Sequence, residues 1–189
     1  MALLAAPLLA YSQAAPSATP AATPAPAQSA ATPIASPAPA NPVELYSLDY
    51  DETSDLFYTP GTKTPYSGPI YSKYANGVRE TDGALKKGQP DGWWIEYAEN
   101  GQKLSEGFYK DGAEEGFWTY WHDNGQIASQ GTYKKGSAIE KWISYFDTGK
   151  LDSIGVYNNG LMDGDWKFYD ETTGQERVIH FDHGKQVQQ

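Results

Sequence analysis

The chain has 189 residues, no Cys and a formal charge of −10, enough for one domain and a tail. The acidic balance excludes the basic stripe that nucleic-acid binding requires and simple adhesion to anionic lipid. Without Cys there is no disulfide framework, thiolate nucleophile or Cys-based zinc site, and no run reaches the ~20 apolar residues of a membrane helix.

Residues 1–42 contain no charged side chain, so the whole net charge falls on residues 43–189. The short apolar run Ala2–Ala10 is followed by small residues, with Ser12-Gln13-Ala14 as a cleavage site; residues 1–14 therefore resemble a secretory signal peptide. A basic n-region is missing, and Ala-rich disorder is the other reading. The expected location is periplasm or cell envelope if the signal is real, and cytoplasm otherwise. Residues 15–42 are built from Ala, Pro, Ser and Thr, a composition that cannot bury a core and predicts an extended, disordered linker. A lead-in segment, 43–65, precedes the repeat domain of residues 66–186, and 187–189 form a tail.

The repeat domain is defined by its period. Trp recurs at 94, 118, 142 and 166; Gly at 88, 112, 136, 160 and 184; Tyr at 109, 133 and 157, all spaced by 24. Such a period marks a repeat architecture. Tyr66–Pro90 is a weaker first copy with Ile70 in place of Trp, and Asp163–Gln186 is a degraded last copy. Each copy carries two turn signals. One is Asn76-Gly77, Asn100-Gly101 and Asn124-Gly125, continued as Thr148-Gly149 and Thr173-Gly174. Asn-Gly is the strongest two-residue hairpin signal, and a type I′ turn is assigned there. The other is Lys87-Gly88, Asp111-Gly112, Lys135-Gly136, Asn159-Gly160 and His183-Gly184. The runs between are of strand length and rich in aromatic and β-branched residues. No segment escapes Gly long enough for a helical repeat. The fold class that follows is all-β: an elongated, single-layer antiparallel meander of about five hairpins, with about ten strands.

Two-residue turns set the register. Trp94 then faces Gly107, Tyr109 faces Gly92, Trp118 faces Gly131, Tyr133 faces Gly116, and Trp142 faces Gly155. In the first copy Ile70 faces Gly83 and Leu85 faces Gly68. Tyr157 meets Glu140, the one pair without Gly. A ring lying across the facing Gly covers bare backbone, and these are non-hydrogen-bonded pairs, where strands approach closest. Trp94, Gly107, Trp118, Gly131, Trp142, Gly155 and Trp166 are thus assigned to a structural face that replaces a conventional core. On the opposite face, Tyr97, Trp121, Tyr145 and Tyr169 form an in-phase column, either a binding surface or ordinary cross-strand pairs.

The segments DGWWIEYAENGQKLSEGFYKDG and EGFWTYWHDNGQIASQGTYKKG, preceded by TKTPYSGPIYSKYANG, resemble the MORN repeat in its bacterial variant form. The resemblance covers about Tyr66 to Lys185. It implies an elongated antiparallel sheet with one hairpin per repeat. Many bacterial relatives carry the label of a YwqK-type antitoxin component, and some eukaryotic MORN proteins associate with membranes or phosphoinositides. The acidic balance departs from that second use.

No nucleophile elbow, phosphate loop or zinc-protease helix is present, so neither an enzyme nor a cofactor is expected. His180 and His183 flank Asp182, but strand residues three apart point to opposite faces, and no metal site is assigned. Two functional classes stay open. One is a non-catalytic scaffold for a protein partner or envelope polymer. The other is an antitoxin or immunity-type protein that masks a partner, such as a basic toxin, with its acidic surface.

Overall fold

The computed structural model describes residues 41–187. The expected signal peptide, the linker up to residue 40 and residues 188–189 lie outside them.

The strands are β1 (Val43–Glu44), β2 (Asp49–Asp51), β3 (Leu56–Tyr58), β4 (Gly68–Lys73), β5 (Arg79–Lys86), β6 (Gln89–Pro90), β7 (Gly92–Tyr97), β8 (Lys103–Lys110), β9 (Ala113–Trp121), β10 (Ile127–Lys134), β11 (Ser137–Tyr145), β12 (Leu151–Asn158), β13 (Leu161–Tyr169), β14 (Glu176–Asp182) and β15 (Lys185–Val187). From β4 onward, pairing is antiparallel and follows chain order, with β6 a short strand beside β5. At ~4.8 Å per strand the open sheet extends over roughly 50 Å. Five hairpins, β4–β5, β7–β8, β9–β10, β11–β12 and β13–β14, make it the single-layer meander that the period predicts.

The register also follows the sequence. Gly92 pairs with Tyr109 and Trp94 with Gly107; Gly116 pairs with Tyr133 and Trp118 with Gly131; Trp142 pairs with Gly155, Glu140 with Tyr157, and Ile70 with Gly83. The turns that produce this register differ from expectation. At Tyr74–Val78 the Tyr74 N–H donates to Val78 O and the Gly77 N–H to Tyr74 O, both at 2.9 Å, which leaves a three-residue loop. Gly77 has φ +83°, whereas Asn76 is not in the left-handed region. Asn76 instead accepts the Val78 N–H on its side-chain oxygen at 2.9 Å, as Asn100 does for Gln102 and Asn124 for Gln126. This local side-chain bond holds Asn in a turn that needs no positive φ from it. A one-residue bulge at Glu80, Leu104, Ala128 and Asp152 then restores the register of a two-residue turn. The type I′ geometry sits at the opposite rim, where both residues of Lys87-Gly88, Asp111-Gly112, Lys135-Gly136, Asn159-Gly160 and His183-Gly184 have positive φ.

The lead-in segment builds a cap. β1 pairs parallel to β4, with Val43 opposite Ile70, so the sheet is antiparallel in all but this pair. A short 3-10 helix, Leu45–Ser47, follows, and β2 and β3 form a separate two-stranded ribbon. Leu45 and Leu48 bury against Ile70, Leu85 and Trp94, with Val43, Phe57 and Tyr66 packed around them. A conventional apolar cluster thus exists at this end, contrary to the expectation that the ring face alone replaces a core.

Candidate functional site

The ring face is built by a second bulge. Between β8 and β9, Glu106 pairs with Thr119 and Phe108 with Glu115, so Gly107 alone opposes residues 116–118. Gly131 and Gly155 occupy the same situation one and two copies on. The first residue of each bulge is left-handed: Gly116 (φ +75°), Glu140 (φ +58°) and Gly164 (φ +71°).

The bulge carries each Trp ring over the Gly of the preceding hairpin. A Cβ placed on Gly107 would lie 2.1 Å from Trp118, one on Gly131 would lie 2.1 Å from Trp142, and one on Gly155 would lie 2.1 Å from Trp166. Gly83 stands in the same relation to Trp94, at 2.3 Å. The expected partnership is therefore corrected. Trp118 is in register with Gly131, but its ring covers Gly107; the ring over Gly131 belongs to Trp142. The indole N–H groups fix this placement, Trp118 donating to Phe108 O, Trp142 to Thr132 O and Trp166 to Val156 O.

Trp94, Trp118, Trp142 and Trp166 are 6, 2, 7 and 3 % exposed, as a structural face requires. Tyr109, Tyr133 and Tyr157 bridge them edge-to-face, giving an unbroken run from Trp94 to Trp166 with centroid separations of 4.9–6.1 Å. Tyr120 adds stacked contacts to Trp118 and Trp142, and its hydroxyl donates to Tyr133 Oη at 3.3 Å. Burial pushes the phenols of Tyr109, Tyr120, Tyr133 and Tyr157 above their ordinary value.

On the opposite face, Tyr97, Trp121, Tyr145 and Tyr169 stand beside the hairpin loops, paired with Lys103, Ile127, Leu151 and Glu176. All four are half-buried. Lys103 Nζ lies 5.6 Å from the Trp121 ring centroid, and Tyr169 Oη donates to Glu176. More exposed apolar groups share this face: Phe108, Phe117, Val156 and Val178 are 37, 53, 46 and 51 % exposed, and Trp93 packs edge-to-face on Phe108 at 6.2 Å. Alternation puts them with the Tyr97 column, but the 24-residue period does not mark them, because the copies of Phe108 and Phe117 include Thr132 and Lys141.

The two His residues make separate pairs. His180 Nδ1 lies 2.7 Å from Asp165 and His183 Nδ1 2.6 Å from Asp182. His183 stands in the final turn, where its ligand atoms, with those of Asp163 and Asp182, fall within 4.8 Å of one another. The bond to Asp182 holds the His183 imidazolium above its usual pKa, so its ring is already committed to a partner.

An open meander whose hairpins repeat, whose one face is locked by interleaved rings and whose other face is left to solvent defines a β-hairpin repeat protein. The MORN repeat variant matches residues 90–111, 114–135 and 141–159. These three copies are MORN repeats. They belong to a non-enzymatic repeat class whose members generally bind proteins or membranes. Comparison with curated proteins gives no significant match.

Proposed function

We propose that the sheet is a non-catalytic scaffold that binds a protein partner through the face opposite the Trp ladder. The observation that supports this is the exposed apolar set Phe108, Phe117 and Val156 on that face, which lies alongside the half-buried column Tyr97, Trp121, Tyr145 and Tyr169. The opposite rings are consumed by packing, whereas these groups have no partner strand or helix above them among the described residues. Exposed apolar surface of this kind marks interaction sites, and aromatic anchors carry most interface energy. The formal charge of −10 favours a basic partner, which also suits the second reading, masking of a basic toxin. An exported, envelope-facing setting accords with the sequence of residues 1–14.

The test compares capture from the native host by the unaltered chain and by a Phe117→Ser/Trp121→Ala variant. The variant keeps its fold and loses a specific captured protein. Retention of the same protein by the folded variant would refute this face as the contact.

A further inference from the structure

The ring face is open beside Ala138. Directly opposite Leu85 and each bridging Tyr, across the type I′ turn, stands one residue: Pro90 opposite Leu85, Glu114 opposite Tyr109, Ala138 opposite Tyr133, and Met162 opposite Tyr157. Glu114 and Met162 carry long side chains there, and Pro90 a ring. Ala138 leaves space unfilled, and a groove of about 300 Å³, open to solvent, lies beside it, walled by Tyr133, Ser137, Trp142 and Tyr157 and floored by the turns at Gly136 and Gly160. That volume is at the small end of ligand sites.

Two carboxylates stand near it, and Lys134 and Lys135 flank its floor. A Cβ on Gly136 would lie 3.5 Å from the Glu114 carboxylate, and Glu140 stands directly opposite Tyr157. Lys135, in the same turn, is exposed. Three electron-rich rings with a flanking carboxylate attract a cation through ring quadrupoles and charge. The Tyr133 hydroxyl already accepts from Tyr120, and Ser137 is the other hydroxyl beside the three aromatic side chains. An ammonium capped by methyl groups needs no hydrogen bonds, unlike a guanidinium or primary amine, which would leave donors unpaired.

We propose that the cell formed by Tyr133, Ala138, Trp142 and Tyr157 binds a quaternary ammonium group, with Glu114 as its counter-charge. The site lies on the face opposite the protein-binding surface proposed above and does not depend on it.

The probe is choline, titrated against the full chain at constant ionic strength while the Trp142 indole N–H resonance is followed. A saturable shift is expected. The uncharged isostere 3,3-dimethyl-1-butanol should bind at least roughly fivefold more weakly. Ala138→Met places in the cell the residue that the last repeat carries at Met162 and should abolish the shift while the fold is kept. Glu114→Gln should weaken choline by roughly twofold to fivefold and leave the isostere unchanged. Absence of saturation, equal affinity for the isostere, or unaltered binding by Ala138→Met overturns the proposal. Should Ala138→Met unfold the chain, the isostere comparison on the unaltered protein decides.

Discussion

Gly131→Ala tests the ring placement with a single methyl group. The new Cβ would lie 2.1 Å from Trp142 Cδ2, a separation no packed pair tolerates. The ring cannot slide aside at low cost. It is 7 % exposed, tied by its N–H to Thr132 O, and held between Tyr133 at 5.0 Å and Tyr157 at 5.9 Å. Overpacking costs ~1–3 kcal/mol, and displacing a buried Trp approaches the ~3–5 kcal/mol of its deletion. Against this, the strand-propensity gain is at most about 1 kcal/mol. A net loss of about 2 kcal/mol or more is expected, read as a denaturant midpoint at constant m-value. The double variants locate the ring. Gly131→Ala with Trp142→Ala should be less damaged than the sum, by roughly 0.5–3 kcal/mol, because removing that ring makes room for the methyl. Coupling with Trp118→Ala, the in-register partner, should be smaller. Strict additivity with Trp142 and strong coupling to Trp118 would show that the ring over Gly131 is the in-register one and refute the bulge argument.

Glu140 has φ +58°, where other copies use Gly. Glu140→Gly should raise the midpoint by up to about 1 kcal/mol, since left-handed backbone costs a non-Gly residue ~1–2 kcal/mol and Gly returns part of that in unfolded-state entropy. Burial raises the phenol pKa values of Tyr109, Tyr120, Tyr133 and Tyr157. Their contribution is therefore complete below the unfolded value of about 10 and lost as pH rises above it. Midpoints measured from pH 8 to 11 should fall at the alkaline end, and Tyr120→Phe should flatten that fall. Leu45→Ala, at a site 2 % exposed, should cost ~2–5 kcal/mol in the same assay, which tests the cap. Phe117→Ser, 53 % exposed, should shift the midpoint by less than about 1 kcal/mol and so isolate binding from folding.

The period made the hairpins and their register legible, because Trp, Gly and Tyr recur at positions that alternate faces. Two compensating irregularities were not legible. The three-residue loops and the bulges at Glu80, Leu104, Ala128 and Asp152 cancel in the register, so a wrong turn type gave correct pairs. The second bulge does not cancel: it moves each ring one hairpin back, and its mark in sequence is the column Gly92, Gly116, Glu140, Gly164, whose first three members also face Tyr109, Tyr133 and Tyr157 within their hairpins. The cap escaped because Leu45, Leu48 and Phe57 belong to no period. Tyr120 escaped because its equivalents are Glu96, Ser144 and Phe168, so the column is aromatic only in alternate copies. For the face opposite the Trp ladder, alternation set which side chains share it, but exposure depends on neighbouring strands, and the structure gives more of it to Phe117 and Val156 than to the Tyr97 column.

At the rim of type I′ turns, each Gly N–H donates to a carbonyl of the turn before it: Gly88 to Tyr66, Gly112 to Pro90, Gly136 to Glu114, Gly160 to Ala138 and Gly184 to Met162, at 2.7–3.0 Å. Every donor finds its acceptor 22 residues upstream, whichever copy it belongs to. The rim is thus a ruler with one tick per repeat, and the length of the protein is indexed to it. Excision of residues 107–130, one whole 24-residue unit, joins Glu106 to Gly131 and offers the Gly136 N–H the Pro90 carbonyl that Gly112 had used. A cut that is not a whole number of units leaves a turn amide facing no carbonyl and a Trp over a side chain instead of a Gly. Such an array can grow or shrink during gene duplication only in whole units, and each change alters the length of the sheet by two strand widths, roughly 10 Å, together with the side chains that the unit carries on the opposite face.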